Sequence, residues 1–234
     1  MTSAAYETLM FGAEKEPVVV IDGFSSDPDA LLAAARAARY GPAGHHYPGQ
    51  RAPAPASYLH ERGQMLSQIL SEVFDMPGGA DLIECNFSVV TTPPNALTPI
   101  QRMPHFDGTA ANRLALLHYL CPAEAGGTSF YRHRATGFET IKEGRLAAYD
   151  AELRKEVTEN GLPPAEYFHS SQYQFERIGQ VPAVFNRMVI YRGITLHSGD
   201  ILQPDQIGSG LETSRITVNT FLAGRQPASA PHRA

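Results

Sequence analysis

Tryptophan is missing from this 234-residue chain, cysteine occurs only twice, and no apolar run reaches the ~20 residues that a membrane-spanning helix needs. The opening stretch MTSAAYETLMFGAEKEP has neither a basic start nor a long apolar segment, so it does not read as a secretion signal, and a cytoplasmic protein is expected. Cys85 and Cys121 stand alone, without the close spacing of a zinc pair or a redox motif, and read as reduced core thiols. Positive charge is also scarce. Lys and Arg number 19 against 24 Asp and Glu, a net charge of -5 with histidines neutral, which lacks the basic surface of a phosphate-backbone binder. Nucleic acid and membrane are therefore not expected partners. Internal repeats, coiled-coil heptads and low-complexity tracts are absent apart from short alanine and proline clusters.

Eighteen prolines and twenty glycines beside 43% hydrophobic residues point to a sizeable core carried on many short elements, as in an all-β or α+β fold. EPVVVIDGF reads as an opening strand closed at Asp22-Gly23. In SSDPDALLAAARAARYGP, Asp27 can cap a helix, Pro28 suits its first position, and Gly41-Pro42 stops it. Residues 42–56, rich in Pro, Gly and Ala, read as an irregular surface loop. Leu59, Leu66, Ile69, Leu70 and Val73 then recur at helical spacing up to Met76-Pro77-Gly78. From residue 80 the period becomes strand-like: DLIECNFSVVT, NRLALLHYLC, GTSFYRH, SSQYQFERIGQV, AVFNRMVIYRG and RITVNTFLAG. A helix over 144–160 interrupts them, with Gly161 and Pro163-Pro164 as its stop. Helices first and strands after predict a mainly β, α+β fold, a β-sandwich or jelly roll buttressed by N-terminal helices. We expect a single domain over 1–234. Residues 1–79 pack on a core of 80–225, and 226–234 form a disordered tail.

The chemistry-bearing residues begin with MPHFDGT. If the backbone there is extended, His105 and Asp107, two residues apart, emerge on the same face. NRMVIYRGITLHSGD supplies a third candidate, His197, after a strand and a turn. Two histidines and one carboxylate make a facial triad that leaves three adjacent positions of an octahedral iron(II) open for a cosubstrate and dioxygen. Eighteen residues beyond His197, Arg215 opens the strand RITVNTFL, and Thr217 lies on its face. A guanidinium and a hydroxyl so placed can grip a ligand carboxylate, which implies a pocket for a small dicarboxylate.

The order His-x-Asp, then RLALLHYLC from Arg113, then Gly126-Gly127 with Phe130, then His197 and Arg215, resembles the iron(II)- and 2-oxoglutarate-dependent oxygenases, most of all their prolyl-4-hydroxylase-like branch. The match spans about residues 80 to 225. The resemblance implies a double-stranded β-helix with iron held by His105, Asp107 and His197, and 2-oxoglutarate gripped by Arg215. It also implies that Tyr119 hydrogen-bonds the distal carboxylate of 2-oxoglutarate. Related halogenases replace the carboxylate ligand with a small residue, so Asp107 favours hydroxylation or another two-electron oxidation. Departures from the pattern are the long interval before Arg215, Cys121 where asparagine is common, and the helix over 144–160.

Two other classes fit the same residues. One is a jelly-roll binding protein that holds a ligand or metal without turnover. The other is a cupin-type metalloenzyme that needs no 2-oxoglutarate. The substrate, a small molecule or a residue of a peptide or protein, has no legible code. It would be set by loops at 42–56, 92–104, 131–145 and 199–213. His118, on the opposite face from Tyr119, reads as a packed or half-exposed histidine; His133 reads as part of a solvated loop edge, and His45 and His46 as surface. The helix ALLAAARAA suits a homodimer contact as well as its own core.

Overall fold

In a computed structural model, residues 5–44, 46–171, 174–207 and 214–225 are described. The expected tail at 226–234, His45, and part of the 199–213 loop lie outside these residues.

Strand β1 (Tyr6–Phe11) forms a hairpin with β2 (Glu16–Ile21), and helix α1 (Pro28–Ala37) follows. The Asp27 carboxylate accepts the Ala30 amide proton at 3.0 Å, and Pro28 occupies the first helical turn, as expected of a capped start. Short strands β3 (Gly41–Pro42) and β4 (Gly49–Pro53) come next. A tight helical turn over Ala56–Arg62 then leads into α2 (Gly63–Glu72). The remaining strands are β5 (Ala80–Val90), β6 (Arg113–Tyr119), β7 (Thr128–His133), β8 (Phe175–Val181), β9 (Met188–Arg192), β10 (His197–Gly199) and β11 (Ile216–Gly224). Helix α3 (Glu143–Asn160) lies between β7 and β8 and ends at Gly161, whose φ of 83° places it in the left-handed region.

Two antiparallel sheets result. The larger has the order β1-β2-β9-β6-β11-β5-β4-β3, and the smaller β10-β7-β8. Non-consecutive neighbours such as β9 between β2 and β6 identify a jelly-roll type of double-stranded β-helix rather than a meander. Alternation along β6 sorts its side chains. Leu114 and Leu116 join Leu31, Leu66, Ile69 and Leu70 in a core beneath the helices. Ala115, Leu117 and Tyr119 join Phe130 and Val181 in a second core between the sheets. Each leucine so buried stabilises the fold by about 1.5–3 kcal/mol, so both faces of β6 anchor the structure.

Three local expectations differ from what is found. Residues 42–56 are not an irregular loop: Gly41 pairs with Arg51, and Gly49 to Pro53 pair with β5, so the segment extends the sheet. Backbone pairing overrode the low strand propensity of a Pro/Gly-rich run. The strand β1 carried no legible signal, because only its partner β2 is buried while β1 sits at the sheet edge. His133 is fully buried rather than solvated, bonded to Glu156 and Thr136 at 3.0 Å each and flanked by Tyr149 and Phe175. Helix α3 covers it, a tertiary contact that local sequence cannot announce. His118 is buried on the helix side, as expected, and both cysteines are free. Among the described residues no helix is long and apolar enough to cross a membrane.

Candidate metal centre

Extended backbone through His105 lets it pair directly with His197. Each residue's N–H donates to the other's carbonyl at 2.8 Å. Opposed residues of an antiparallel pair project side chains to the same side, and the two imidazole centroids lie 4.4 Å apart. Two residues on, the Asp107 amide donates to Gly193 carbonyl at 2.7 Å, which holds the carboxylate on the face of His105. A side chain at Gly193 would crowd Asp107, since its Cβ would stand 3.2 Å from that of Asp107. This close approach explains a glycine at the turn before His197.

One ligand atom from each of His105, Asp107 and His197 lies within 4.8 Å of the others, the one such cluster among the described residues. The Nδ1 of His197 faces the Thr195 carbonyl at 2.8 Å. A carbonyl only accepts, so Nδ1 carries the proton and the Nε2 lone pair is left toward Asp107 Oδ2, 3.7 Å away. That oxygen is buried and has no hydrogen-bond partner. A buried carboxylate oxygen opposite two imidazole lone pairs is the donor set that a divalent iron would satisfy.

Electrostatics keep both histidines neutral. Burial, then the neighbouring His197, lowers His105 to about 4, with Asp107 opposing; burial lowers His197 to about 4 against its bond to Thr195. His105 retains an open edge although protein surrounds it, as expected for a group lining an open cavity. Burial also raises the Asp107 carboxyl, with His105, Arg113 and Arg51 pulling the other way. A cation bound among the three would reverse that rise. Tyr191 packs its ring 4.7 Å from that of His197 and supports it from below.

Deeper in the barrel, Arg215 is buried. Its Nη2 donates to Gly127 carbonyl at 2.9 Å and its Nε to Gly126 carbonyl at 3.3 Å, while the guanidinium stands 5.5 Å above the Tyr119 ring. Gly126 has φ of 90°, and a side chain there would collide with the Asp200 carbonyl, so the glycine pair permits this contact. Thr217 and Tyr119 are register partners across β11 and β6. The Tyr119 hydroxyl bonds Thr128 Oγ1 and the Thr217 hydroxyl donates to Asn219, each at 2.7 Å. Arg215, Thr217 and Tyr119 therefore come together at one end of the sheet. A cleft lined by Val90, Ile201, Ile207 and Arg215 opens beside this group, away from the triad.

Several neighbours escaped sequence reasoning. Arg51 and Tyr47 come from the segment read as a loop, and Ser88, Asn86 and Glu84 from a strand read only as structural. Arg51, Ser88, Thr217 and Tyr119 occupy one cross-strand row. Strand alternation was the available signal for the β5 residues; nothing local pointed to Arg51.

The family model "Family of unknown function (DUF6445)" matches residues 2–222, so the chain belongs to that family. No curated protein matches the sequence. Among solved structures, one similar in fold is SnoK, a "non-heme alpha ketoglutarate dependent carbocyclase" from nogalamycin biosynthesis. It is 12% identical, with 90% of this chain and 80% of SnoK aligned at a TM-score of 0.50. Another is HygX from Streptomyces hygroscopicus, solved with iron bound. It is 13% identical, with 90% and 83% of the two chains aligned at a TM-score of 0.50. At such identities the likeness is one of fold.

Proposed function

For this member of a family without an assigned activity, we propose an iron(II)- and 2-oxoglutarate-dependent oxygenase that hydroxylates a small molecule or a peptide side chain. The observation that carries the reading is the pairing of His105 with His197, which aims two neutral imidazoles and the unpartnered Asp107 oxygen at one point. The same fold in SnoK and HygX, one named for alpha-ketoglutarate dependence and the other solved with iron, supports it. The sequence order from His105 to Arg215 supports the prolyl-4-hydroxylase-like branch as the nearest within that group. In this reading residues 1–79 buttress a catalytic core of 80–225 within one domain.

His105, Asp107 and His197 hold the metal. When bound, iron(II) supplies dioxygen activation, coupling decarboxylation of 2-oxoglutarate to succinate with insertion of one oxygen atom into a substrate C–H bond. The residues around it do the rest. Thr195 fixes the His197 tautomer so that Nε2 is free to ligate. Arg215 anchors the distal carboxylate of 2-oxoglutarate, with Thr217 and Tyr119 beside it; burial pushes the Tyr119 phenol up to about 12, so it stays a proton donor at neutral pH. Phe130 and Tyr191, packed edge to face at 5.2 Å, close the floor to water. The Asp107 carboxylate fills the position a halide would need, which favours hydroxylation over halogenation.

Anaerobic titration of metal-stripped protein with iron(II) and 2-oxoglutarate tests this. A visible charge-transfer band is expected in the parent and not in His105→Ala, with iron affinity lowered by more than about a hundredfold. Iron binding without the band would replace the reading with a cupin-type metalloprotein, and no iron binding with a binding protein.

A further inference from the structure

Across β4 and β5, in the row of Thr217 and Tyr119, lies a second cluster of polar atoms that the proposed chemistry leaves unused. The Arg51 Nε is buried without a hydrogen-bond partner, and the buried Tyr47 and Ser88 hydroxyls have no partner beyond each other. They belong together: Arg51 is the register partner of Ser88 across β4 and β5, and its guanidinium lies 4.9 Å over the Tyr47 ring. Glu84 takes one corner of that guanidinium at 3.5 Å, the long end of ion-pair range, and leaves the Nε edge unpaired. Burial pushes the Tyr47 phenol up to about 12, so it carries its proton at neutral pH. One hydroxyl can donate to the other, which leaves the second hydroxyl proton and the guanidinium edge without an acceptor, and a buried donor without an acceptor is costly unless a ligand supplies one.

We propose that Arg51, Tyr47 and Ser88 form a second carboxylate-binding nest, separate from Arg215, that seizes a carboxylate of the prime substrate and presents its carbon chain to the triad. The inference rests on the oxygenase reading for the identity of the ligand, but not for the existence of the nest. A guanidinium edge with two hydroxyls matches the two oxygens of a carboxylate. Position separates the two arginines. The Arg51 guanidinium reaches Glu84, the register partner of Phe221, and the Phe221 ring lies under Arg113, which flanks Gly193 together with Asp107, so Arg51 extends toward the metal side. Arg215 sits against Gly126, Gly127 and Tyr119, at the far end where the cosubstrate's distal carboxylate would lie. Two cations at two depths suit two acids bound at once. The substrate class is therefore a small carboxylic acid rather than a neutral sugar or an amine.

The test compares butyrate and hexanoate with their primary amides, using saturation-transfer NMR on full-length protein loaded with iron(II) and 2-oxoglutarate without oxygen. At least one acid is expected to bind, and its amide about tenfold more weakly or not at all. Arg51→Gln is expected to weaken the acid by at least about tenfold more than it weakens 2-oxoglutarate, and Arg215→Gln to give the reverse order. Tyr47→Phe, which removes one hydroxyl and keeps the ring under Arg51, is expected to weaken the acid about threefold and secures the test should Arg51→Gln fold poorly. Equal binding of acid and amide, or no acid binding up to about 10 mM, overturns the nest. If Arg51→Gln and Arg215→Gln instead weaken 2-oxoglutarate alike, the nest serves the cosubstrate and the substrate assignment falls. Should the parent bind no 2-oxoglutarate at all, the oxygenase reading fails by itself, and the acid-against-amide comparison on metal-free protein still decides the nest.

Discussion

The inner face of the large sheet has two halves of opposite character. On β2, β9 and β6 it presents Val18, Val20, Val189, Ala115 and Leu117, and the small sheet packs Phe130 and Val181 onto them. On β5 and β11 the same face presents Glu84, Asn86, Ser88, Thr217 and Asn219, with Arg51 from β4 beside them. Glu84, Asn86 and Asn219 keep partial solvent access, while Ser88 and Thr217 are buried. A smaller sheet of three strands packs on one half, while the other carries polar side chains that run from partly exposed Glu84, Asn86 and Asn219 to buried Thr217 and Arg215. The difference teaches that one continuous sheet carries both core and candidate binding site, and that apolar packing and polar side chains are sorted by strand rather than by sheet.

That division can be broken most strongly at the deep end of the polar half. Arg215→Met is expected to lower 2-oxoglutarate affinity by about thirtyfold or more, measured by titration of the iron-loaded protein, because it removes a charge-assisted donor and leaves a buried acid unpaired. Iron affinity measured in the same titration is expected to stay near that of the parent.

A paired substitution sharpens the comparison. Leu117→Ala, in the apolar half, is expected to destabilise the protein by about 2–5 kcal/mol in denaturant unfolding. Asn219→Ala, one strand away on the same face and register partner of Leu117, is expected to cost about 1 kcal/mol, the hydrogen bond it accepts from Thr217, because its side chain otherwise keeps partial solvent access. Equal losses would mean that the polar half is core after all.

The smallest effect concerns acid. His118 is buried on the helix side, its Nε2 3.0 Å from Asn186 and its ring stacked on Tyr58, and burial lowers it from 6.5 to about 4. Unfolded, it takes up a proton near 6.5; folded, it resists until about 4. The unfolded state thus binds more protons between those values, so stability is lost as pH falls through that window and is fully present above it. Melting temperature is expected to drop on going from pH 7 to pH 5, and less steeply in His118→Phe.

Much of this site is legible in the amino-acid sequence. His105 and Asp107 need only an extended backbone to share a face, and His197 follows from a strand, a turn and a ligand count. Arg215 and Thr217 are visible as a charged start to an apolar strand. The capped start of α1 and the alternating strands are equally local, because caps and periodicity express forces that act within a few residues.

What tertiary structure alone decided lies in the pairing of distant segments. The antiparallel bridge between His105 and His197 joins positions far apart in the chain, and it converts two candidate ligands into one donor set. Helix α3 buries His133, and the edge strand β1 and the outer pair β3 and β4 arise from sequence without a strand signal. Arg51 is the clearest case. Its segment reads as proline-rich loop, and only register with Ser88 places it in one row with Thr217 and Tyr119. Local sequence encodes what a residue's own backbone and neighbours dictate. Which strand lies beside which is settled by burial of both faces of β6 at once, a collective free energy that no short segment carries.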